Sequence, residues 1–247
     1  VVVVVGGLGS LAGAFIAFGA MYATLVLTDQ GLGFGPSRML GGIAFSLGLV
    51  LVVIAGAELF TGNTLIVMAW VDGRIGLGEL ARNWCLVYAG NLVGCLGAAA
   101  LVTLAEGLDL GGGKPALTAQ AIAQAKVAVS WTTGFFRGIL CNALVCLAVW
   151  LSLAAREVTG KILAVVFPIS AFVALGFEHS IANVYFIGLG LLQGFPDVTV
   201  VGLLSNLIPV TAGNIVGGGV FVALVYRVCY RLDREAVPPE PEGSRRS

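Results

Sequence analysis

Two glutamates stand out because each lies inside a long apolar segment, where a charged side chain is costly. Residues 56–63 read GAELFTGN and residues 176–183 read GFEHSIAN, so both fit G-x-E-x-x-x-x-N and place Glu58 and Glu178 at matching positions. A buried carboxylate can accept hydrogen bonds from backbone N–H groups freed at a helix break, or it can relay protons. Because the two glutamates are matched, we expect the first, scaffolding role.

A single histidine follows the second of these glutamates. His179 corresponds to Leu59 in the first element, so it departs from the repeat and a repeated scaffold does not require it. A neutral imidazole can donate a hydrogen bond to an anion, and a transiently charged one can donate a proton. A histidine that only satisfies local structure is the alternative.

Further polar side chains lie in the same apolar stretches. Some belong to the two G-x-E elements and others lie in separate apolar runs: Thr61, Asn63, Asn183, Asn91, Asn142 and Asn214. Each could face a pathway or form a hydrogen bond between helices. Lys126, in AQAKVAVSW, is either an ordinary solvent-exposed lysine or a vestibule lysine that raises the local anion concentration.

Large apolar side chains lie near the two elements: Phe45, Leu49, Leu59 and Phe172. Residues of this type usually belong to a core. In a membrane pore they can instead form a constriction that excludes hydrated ions.

The composition is that of an integral membrane protein. Of 247 residues, 58% are hydrophobic and 11% are charged, against about 25% charged residues in soluble domains. The net charge is zero, so nothing indicates nucleic-acid binding. The five cysteines lack metal-ligand spacing and are interpreted as apolar packing residues: Cys85, Cys95, Cys141, Cys146 and Cys229. We therefore expect no metal site and no cofactor.

Hydropathy and turn signals predict an all-α protein with six spans, at about 2–28, 37–71, 79–106, 131–153, 161–193 and 200–230. The second and fifth are too long for one straight crossing, so each is predicted to be two half-helices joined by a non-helical break. GNLVG at 90–94 and GNIVG at 213–217 repeat as the G-x-E elements do. Because each repeat has three spans, the second must be inverted.

The predicted channel domain covers residues 1–232, with repeats at about 1–106 and 131–232. Residues 233–247, polar and proline-rich, are expected to form a disordered tail. The positive-inside rule places nine of the 13 Lys and Arg residues on one side, an excess that depends on the residues from Arg227 onward. Both termini are therefore expected to be cytoplasmic.

Two other functions compete with an ion pathway. An intramembrane hydrolase could use Glu178 and His179, but the chain has no HExxH motif and no nucleophile spaced with a base. A neutral-solute channel of the aquaporin kind would share the inverted halves. The breaks read ELFTGN and EHSIAN, however, rather than paired Asn-Pro-Ala.

Five stretches resemble the formate/nitrite transporter family of bacterial and archaeal membrane channels. They are AGAELFTGNTLIV (55–67), RNWCLVYAGNLVG (82–94), RGILCNALVCLAVW (137–150), ALGFEHSIANVYF (174–186) and NLIPVTAGNIVGGG (206–219). The resemblance runs over about residues 6–232. It implies an aquaporin-like fold and a homopentamer with one pore through each protomer, in the plasma (inner) membrane. The family also has an amphipathic helix before the first span, which this sequence is expected to lack.

The resemblance also implies roles for particular residues. The motif histidine falls on His179, the threonine on Thr61 and the vestibule lysine on Lys126, with pore asparagines at Asn142 and Asn214. The apolar constrictions fall on Phe45, Leu49, Leu59 and Phe172, and the carboxylate of the first break is Glu58. We expect formate as the substrate, moved with proton assistance from His179. Nitrite, hydrosulfide or another weak-acid anion is the alternative.

Overall fold

The structure, a computed structural model, describes residues 12–28 and 31–236, with the backbone alone for residues 231–236. This described part is helical and contains no strand. The helices are α1 (Ala12–Leu27), α2 (Phe34–Ala55), α3 (Phe60–Asn63), α4 (Val67–Val71), α5 (Leu77–Leu104), α6 (Leu110–Val127), α7 (Trp131–Ala154), α8 (Val158–Leu175), α9 (Ser180–Leu192), α10 (Val200–Ile215) and α11 (Val225–Ala236). A 3₁₀ turn (Thr64–Ile66) joins α3 to α4, and a π-helical segment (Val216–Leu224) joins α10 to α11.

Several helices are long and apolar enough to cross a bilayer. In the described residues, five meet this condition by length and composition: Phe34–Ala55, Leu77–Leu104, Trp131–Ala154, Val158–Leu175 and Val200–Tyr230. Three shorter apolar helical stretches are Ala12–Leu27, Phe60–Val71 and Ser180–Leu192. Large apolar side chains such as Phe167 (71% exposed) and Val201 (73% exposed) cover the outer surface, as lipid contact requires. The chain is a multi-pass membrane protein.

Two matching segments interrupt the helical structure. Helix α2 ends at Gly56, which has φ +71°, and α8 ends at Gly176, which has φ +73°. A glycine in this left-handed conformation commonly ends a helix because it has no Cβ to clash. The chain then continues through an extended Leu59 into α3 and an extended His179 into α9. Both G-x-E elements therefore lie between two helices.

Helix α6 was not among the predicted elements. The predicted spans leave residues 107–130 without an element, and Gly111, Gly112 and Gly113 in this interval have positive φ values of +57°, +72° and +81°. Regular helix follows them, in an alanine-rich stretch with high helix propensity. This stretch is too short to register as a span, so the hydropathy pattern missed it.

The ends of the chain differ in part from the expectation. Helix α11 continues to Ala236, so the first residues of the predicted tail at 233–247 are helical. Residues 237–247, like the start of the predicted first span at residues 2–11, lie outside the described part.

Helices α7 and α10 approach each other at the level of their backbones. A Cβ added to Gly213 would lie 2.2 Å from the Phe135 carbonyl oxygen, and one added to Gly217 would lie 2.2 Å from that of Ile139. Only glycine allows this approach. It brings Asn142 on α7 next to Asn214 on α10.

Candidate functional site

The two segments that interrupt the helical structure meet at a threonine–histidine pair. Thr61 Oγ1 of α3 lies 3.0 Å from His179 Nε2, and both residues are buried. His179 caps α9, because its Nδ1 accepts a hydrogen bond from the Ala182 N–H at 3.1 Å. Since Nδ1 is an acceptor here, a neutral imidazole carries its proton on Nε2 and donates it to Thr61 Oγ1. The Thr61 hydroxyl proton is then available to another acceptor.

The main chain of Thr61 is held from the other side. Its carbonyl oxygen accepts hydrogen bonds from Thr64 Oγ1 at 2.7 Å and from Asn142 Nδ2 at 3.1 Å. Asn142 Nδ2 also lies 2.6 Å from the Asn214 carbonyl oxygen. Asn142 thus links α3 to α10 through α7, and its buried Oδ1 has no hydrogen-bond partner among the described residues. The structure brings Thr61, His179, Asn142 and Asn214 together.

Asparagines satisfy the backbone N–H groups at the start of α3 and α9. Asn91 Oδ1 accepts from the Phe60 N–H at 2.9 Å, and Asn214 Oδ1 accepts from the Ser180 N–H at 2.9 Å. Asn91 Nδ2 also donates to the main-chain carbonyl of Glu58, and Asn214 Nδ2 donates to that of Glu178, both at 3.0 Å. The two asparagines have equivalent positions in GNLVG and GNIVG. Both fit the interhelical hydrogen-bonding alternative for these residues.

The glutamate side chains have different partners from those we expected. Glu58 Oε2 accepts from Asn63 Nδ2 at 3.1 Å, and Glu178 Oε2 accepts from Asn183 Nδ2 at 2.7 Å. Both carboxylates thus accept hydrogen bonds from side-chain amides. The freed backbone N–H groups donate instead to Asn91 and Asn214. The physical reason is geometric, because each amide lies one helical turn into the next helix and five residues after its glutamate.

Lys126 lies at the end of α6 and is an ion-pair partner, not an isolated surface lysine. Its Nζ lies 2.9 Å from Glu178 Oε1, with side-chain exposures of 18% for the lysine and 3% for the glutamate. The lysine side chain remains partly exposed in this pair. The positive charge of Lys126 also compensates the negative charge of the buried Glu178 carboxylate, which alone would repel anions.

A cavity of about 90 Å³ opens beside this pair and reaches the imidazole of His179. Its lining includes Lys126, Arg38, Phe45, Phe172 and His179. The Phe45 and Phe172 rings meet edge to face with centroids 5.6 Å apart, and Phe172 stacks on His179 at 6.0 Å. The two phenylalanine rings therefore form an apolar part of the cavity wall, next to the His179 imidazole.

The other two predicted constriction residues are placed differently. Leu49 and Leu59 are buried, at 2% and 3% exposure, and they do not line this cavity.

Sequence reasoning missed one charged residue of the cavity. Arg38 donates to the carbonyls of Val173 at 2.6 Å and Ala174 at 3.2 Å, at the C-terminal end of α8. A cation near the last carbonyls of a helix is favourable. A lone arginine early in an apolar span was the available signal. In the described residues, no cluster of His, Cys, Asp and Glu could hold a metal ion.

A family model for formate/nitrite transporters matches residues 4–228. The chain belongs to the formate/nitrite transporter family. Formate channel FocA of Escherichia coli K12 is 41% identical over 243 residues, which cover 91% of this chain and 85% of that protein. The probable formate transporter of Methanothermobacter thermautotrophicus is 42% identical over 240 residues, with 90% and 87% coverage.

Solved structures agree with this membership. A structure described as a pentameric formate channel with formate bound superposes with a TM-score of 0.83 at 39% identity, covering 91% of this chain and 96% of that chain. The family resemblance inferred from the motifs is confirmed. This member is thereby placed among channels and transporters rather than enzymes.

Proposed function

We propose that the protein is a membrane channel for small monovalent anions, with formate as the principal substrate. The observation that carries this proposal is the buried Thr61–His179 pair at the end of a cavity lined by phenylalanine rings and two cations. The formate channels among its relatives support the choice of anion. Nitrite or hydrosulfide is the alternative substrate.

The proposed architecture has six spans in two inverted three-span repeats. Helices α2 and α8 begin the second and fifth spans, and α3–α4 and α9 complete them beyond the breaks. The matched glycine caps, asparagine acceptors and glutamate–amide pairs of the two halves support this assignment. We place the protein in the inner membrane with cytoplasmic termini, as a homopentamer like the pentameric formate channel it resembles.

The first step of the proposed mechanism is electrostatic. Lys126 and Arg38 are partly exposed at the cavity and raise the local concentration of anions. The Phe45–Phe172 contact then excludes a fully hydrated ion. An anion that sheds water here needs a replacement donor, and the Thr61 hydroxyl and the His179 Nε2–H are the groups suited to provide it.

Proton assistance from His179 has a structural condition. Nδ1 accepts the Ala182 N–H, so a charged imidazole with protons on both nitrogens must give up this cap. In the observed arrangement His179 therefore acts as a hydrogen-bond donor. Proton transfer to the anion would be coupled to a local rearrangement at the start of α9.

The test is substrate-resolved flux in proteoliposomes, with formate, nitrite and hydrosulfide compared across pH for the parent and His179→Ala. We expect formate flux to be fastest and to collapse in the variant. An unchanged rate and pH dependence in His179→Ala would refute the role of His179. Equal permeation of glycerol and formate would refute an anion pathway.

A further inference from the structure

A closed ring of hydrogen bonds surrounds the lysine of the cavity. Lys126 Nζ donates to Glu178 Oε1 at 2.9 Å, and Glu178 Oε2 accepts from Asn183 Nδ2 at 2.7 Å. Asn183 Nδ2 also donates to Asn206 Oδ1 at 2.8 Å. Asn206 Nδ2 closes the ring by donating to the Lys126 carbonyl oxygen at 2.9 Å. Lys126 is thus held at its ammonium and at its main chain.

Every donor in this ring matches an acceptor. The Asn183 amide uses its two protons on Glu178 and Asn206, and the Asn206 amide uses its oxygen and one proton. Asn206 is buried at 1% exposure, so an unmatched amide would be costly there. The orientation of the Asn206 amide is fixed as a result, because the flipped amide would face one donor and one acceptor wrongly.

The first half of the chain contains the same asparagine without a lysine. Asn83 occupies the position of Asn206, and its Oδ1 accepts from Asn63 Nδ2 at 3.0 Å. Its own Nδ2 faces Glu58 Oε2 at 3.4 Å instead of a main-chain carbonyl. In both halves, this asparagine accepts a hydrogen bond from the amide that binds the glutamate, Asn63 or Asn183. The connection to the end of α6 is specific to Asn206.

We propose that Asn206 is a positioning residue for transport, which fixes the C-terminal end of α6 so that Lys126 faces the cavity. The inference rests on the proposed function. Helix α6 ends at Val127, directly after the lysine, where the Lys126 carbonyl oxygen also accepts a longer turn bond from the Val129 N–H at 3.3 Å. Without Asn206, the ammonium keeps its ion pair, but the Lys126 main chain loses its shorter hydrogen bond, at 2.9 Å, and is held less firmly. Lys126 then spends part of its time outside the cavity.

A double-variant experiment tests this positioning role. Formate flux into proteoliposomes at low ionic strength is measured for Asn206→Leu in the parent and in Lys126→Met. We expect a roughly two- to tenfold loss in the parent, corresponding to a lost buried hydrogen bond. We expect less than a twofold further loss when Lys126 is already replaced. An equal loss in both backgrounds, or none in the parent, would overturn the inference.

Asn83→Leu is the matched control. It disrupts the corresponding amide contact in the first half, so its effect on flux should be the same whether or not Lys126 is present. If Asn206→Leu does not assemble, Asn206→Asp takes its place, because it keeps the acceptor for Asn183 and removes the donor to Lys126.

Amide hydrogen exchange separates failure of this inference from failure of the proposed function. Faster exchange at residues 123–128 in the Asn206 variant, but not in Asn83→Leu, is expected. Unchanged exchange there would overturn the tether. If Lys126→Met transports formate like the parent, the proposed vestibule role of Lys126 fails, and the exchange data alone then decide whether Asn206 holds α6.

Discussion

Replacing Thr61 with valine removes one hydroxyl from the candidate site and almost nothing else. Valine has nearly the shape of threonine, and the bonds from Thr64 and Asn142 go to the main-chain carbonyl, which stays. The change deprives His179 Nε2–H of its acceptor at 3.0 Å and deprives a passing anion of the Thr61 proton. It therefore tests the chemistry of the pair with little disturbance of the fold.

The magnitude follows from burial. Both Thr61 and His179 are nearly inaccessible, at 0% and 3% exposure, so water does not readily replace the lost partner. An unmet buried hydrogen bond costs about 1–3 kcal/mol. If that loss falls on the barrier to transit, formate flux decreases roughly 5- to 150-fold. Thr61→Ser retains the hydroxyl and should stay within a few-fold of the parent.

The assay is initial formate influx into proteoliposomes at matched protein density, with Thr61→Ser as the control for altered shape. Thermal unfolding in detergent shows whether each variant remains folded. If folded Thr61→Val transports formate as fast as Thr61→Ser, the hydroxyl is not a donor to the anion. The pair would then be a structural contact between α3 and α9.

Two further predictions concern the supports of the site. Lys126→Gln should lower formate flux at low ionic strength and less at high salt, because it leaves Glu178 as an uncompensated negative charge beside the cavity. Adding Glu178→Gln should restore part of the flux, and equal flux in Lys126→Gln and the parent at low salt would contradict this reasoning. Asn91→Leu and Asn214→Leu should each destabilise the protein by about 1–3 kcal/mol, because each leaves a buried N–H without its acceptor. Unchanged unfolding midpoints in detergent would show that neither amide supports its break.

The repeated motif was informative because it encodes a local backbone problem. A glycine followed two residues later by a glutamate, within an apolar run, indicated where helix α2 and helix α8 would end, and Gly56 and Gly176 are the capping residues. Composition and the long motifs were enough to indicate the membrane class and the family, both of which are confirmed. These properties depend on residues close together in the chain.

Partner identity was the weakest part of the prediction. The freed N–H groups of Phe60 and Ser180 bind asparagines 31 and 34 residues away, and Arg38 binds carbonyls more than 130 residues away. Nothing in a local pattern distinguishes a carboxylate from an amide as the acceptor at a break. The acceptor is selected by which helix packs there, and α5 and α10 bring asparagines to these positions. Helix α6 was missed for a related reason, since short alanine-rich helices lack an apolar signature.

Comparison of the two halves separates scaffold from chemistry. The groups that satisfy the backbone and the two glutamates occur in matched pairs: Asn91 with Asn214, Asn63 with Asn183, and Asn83 with Asn206. Two ionisable groups at the cavity break this symmetry, because His179 corresponds to Leu59 in the first half and Lys126 pairs with Glu178 but not with Glu58. A symmetric scaffold has no preference between its two sides. In the channel proposed above, these two unmatched side chains give the pathway its chemical direction, with the Lys126 cation at the cavity and the His179 hydrogen-bond donor at its inner end.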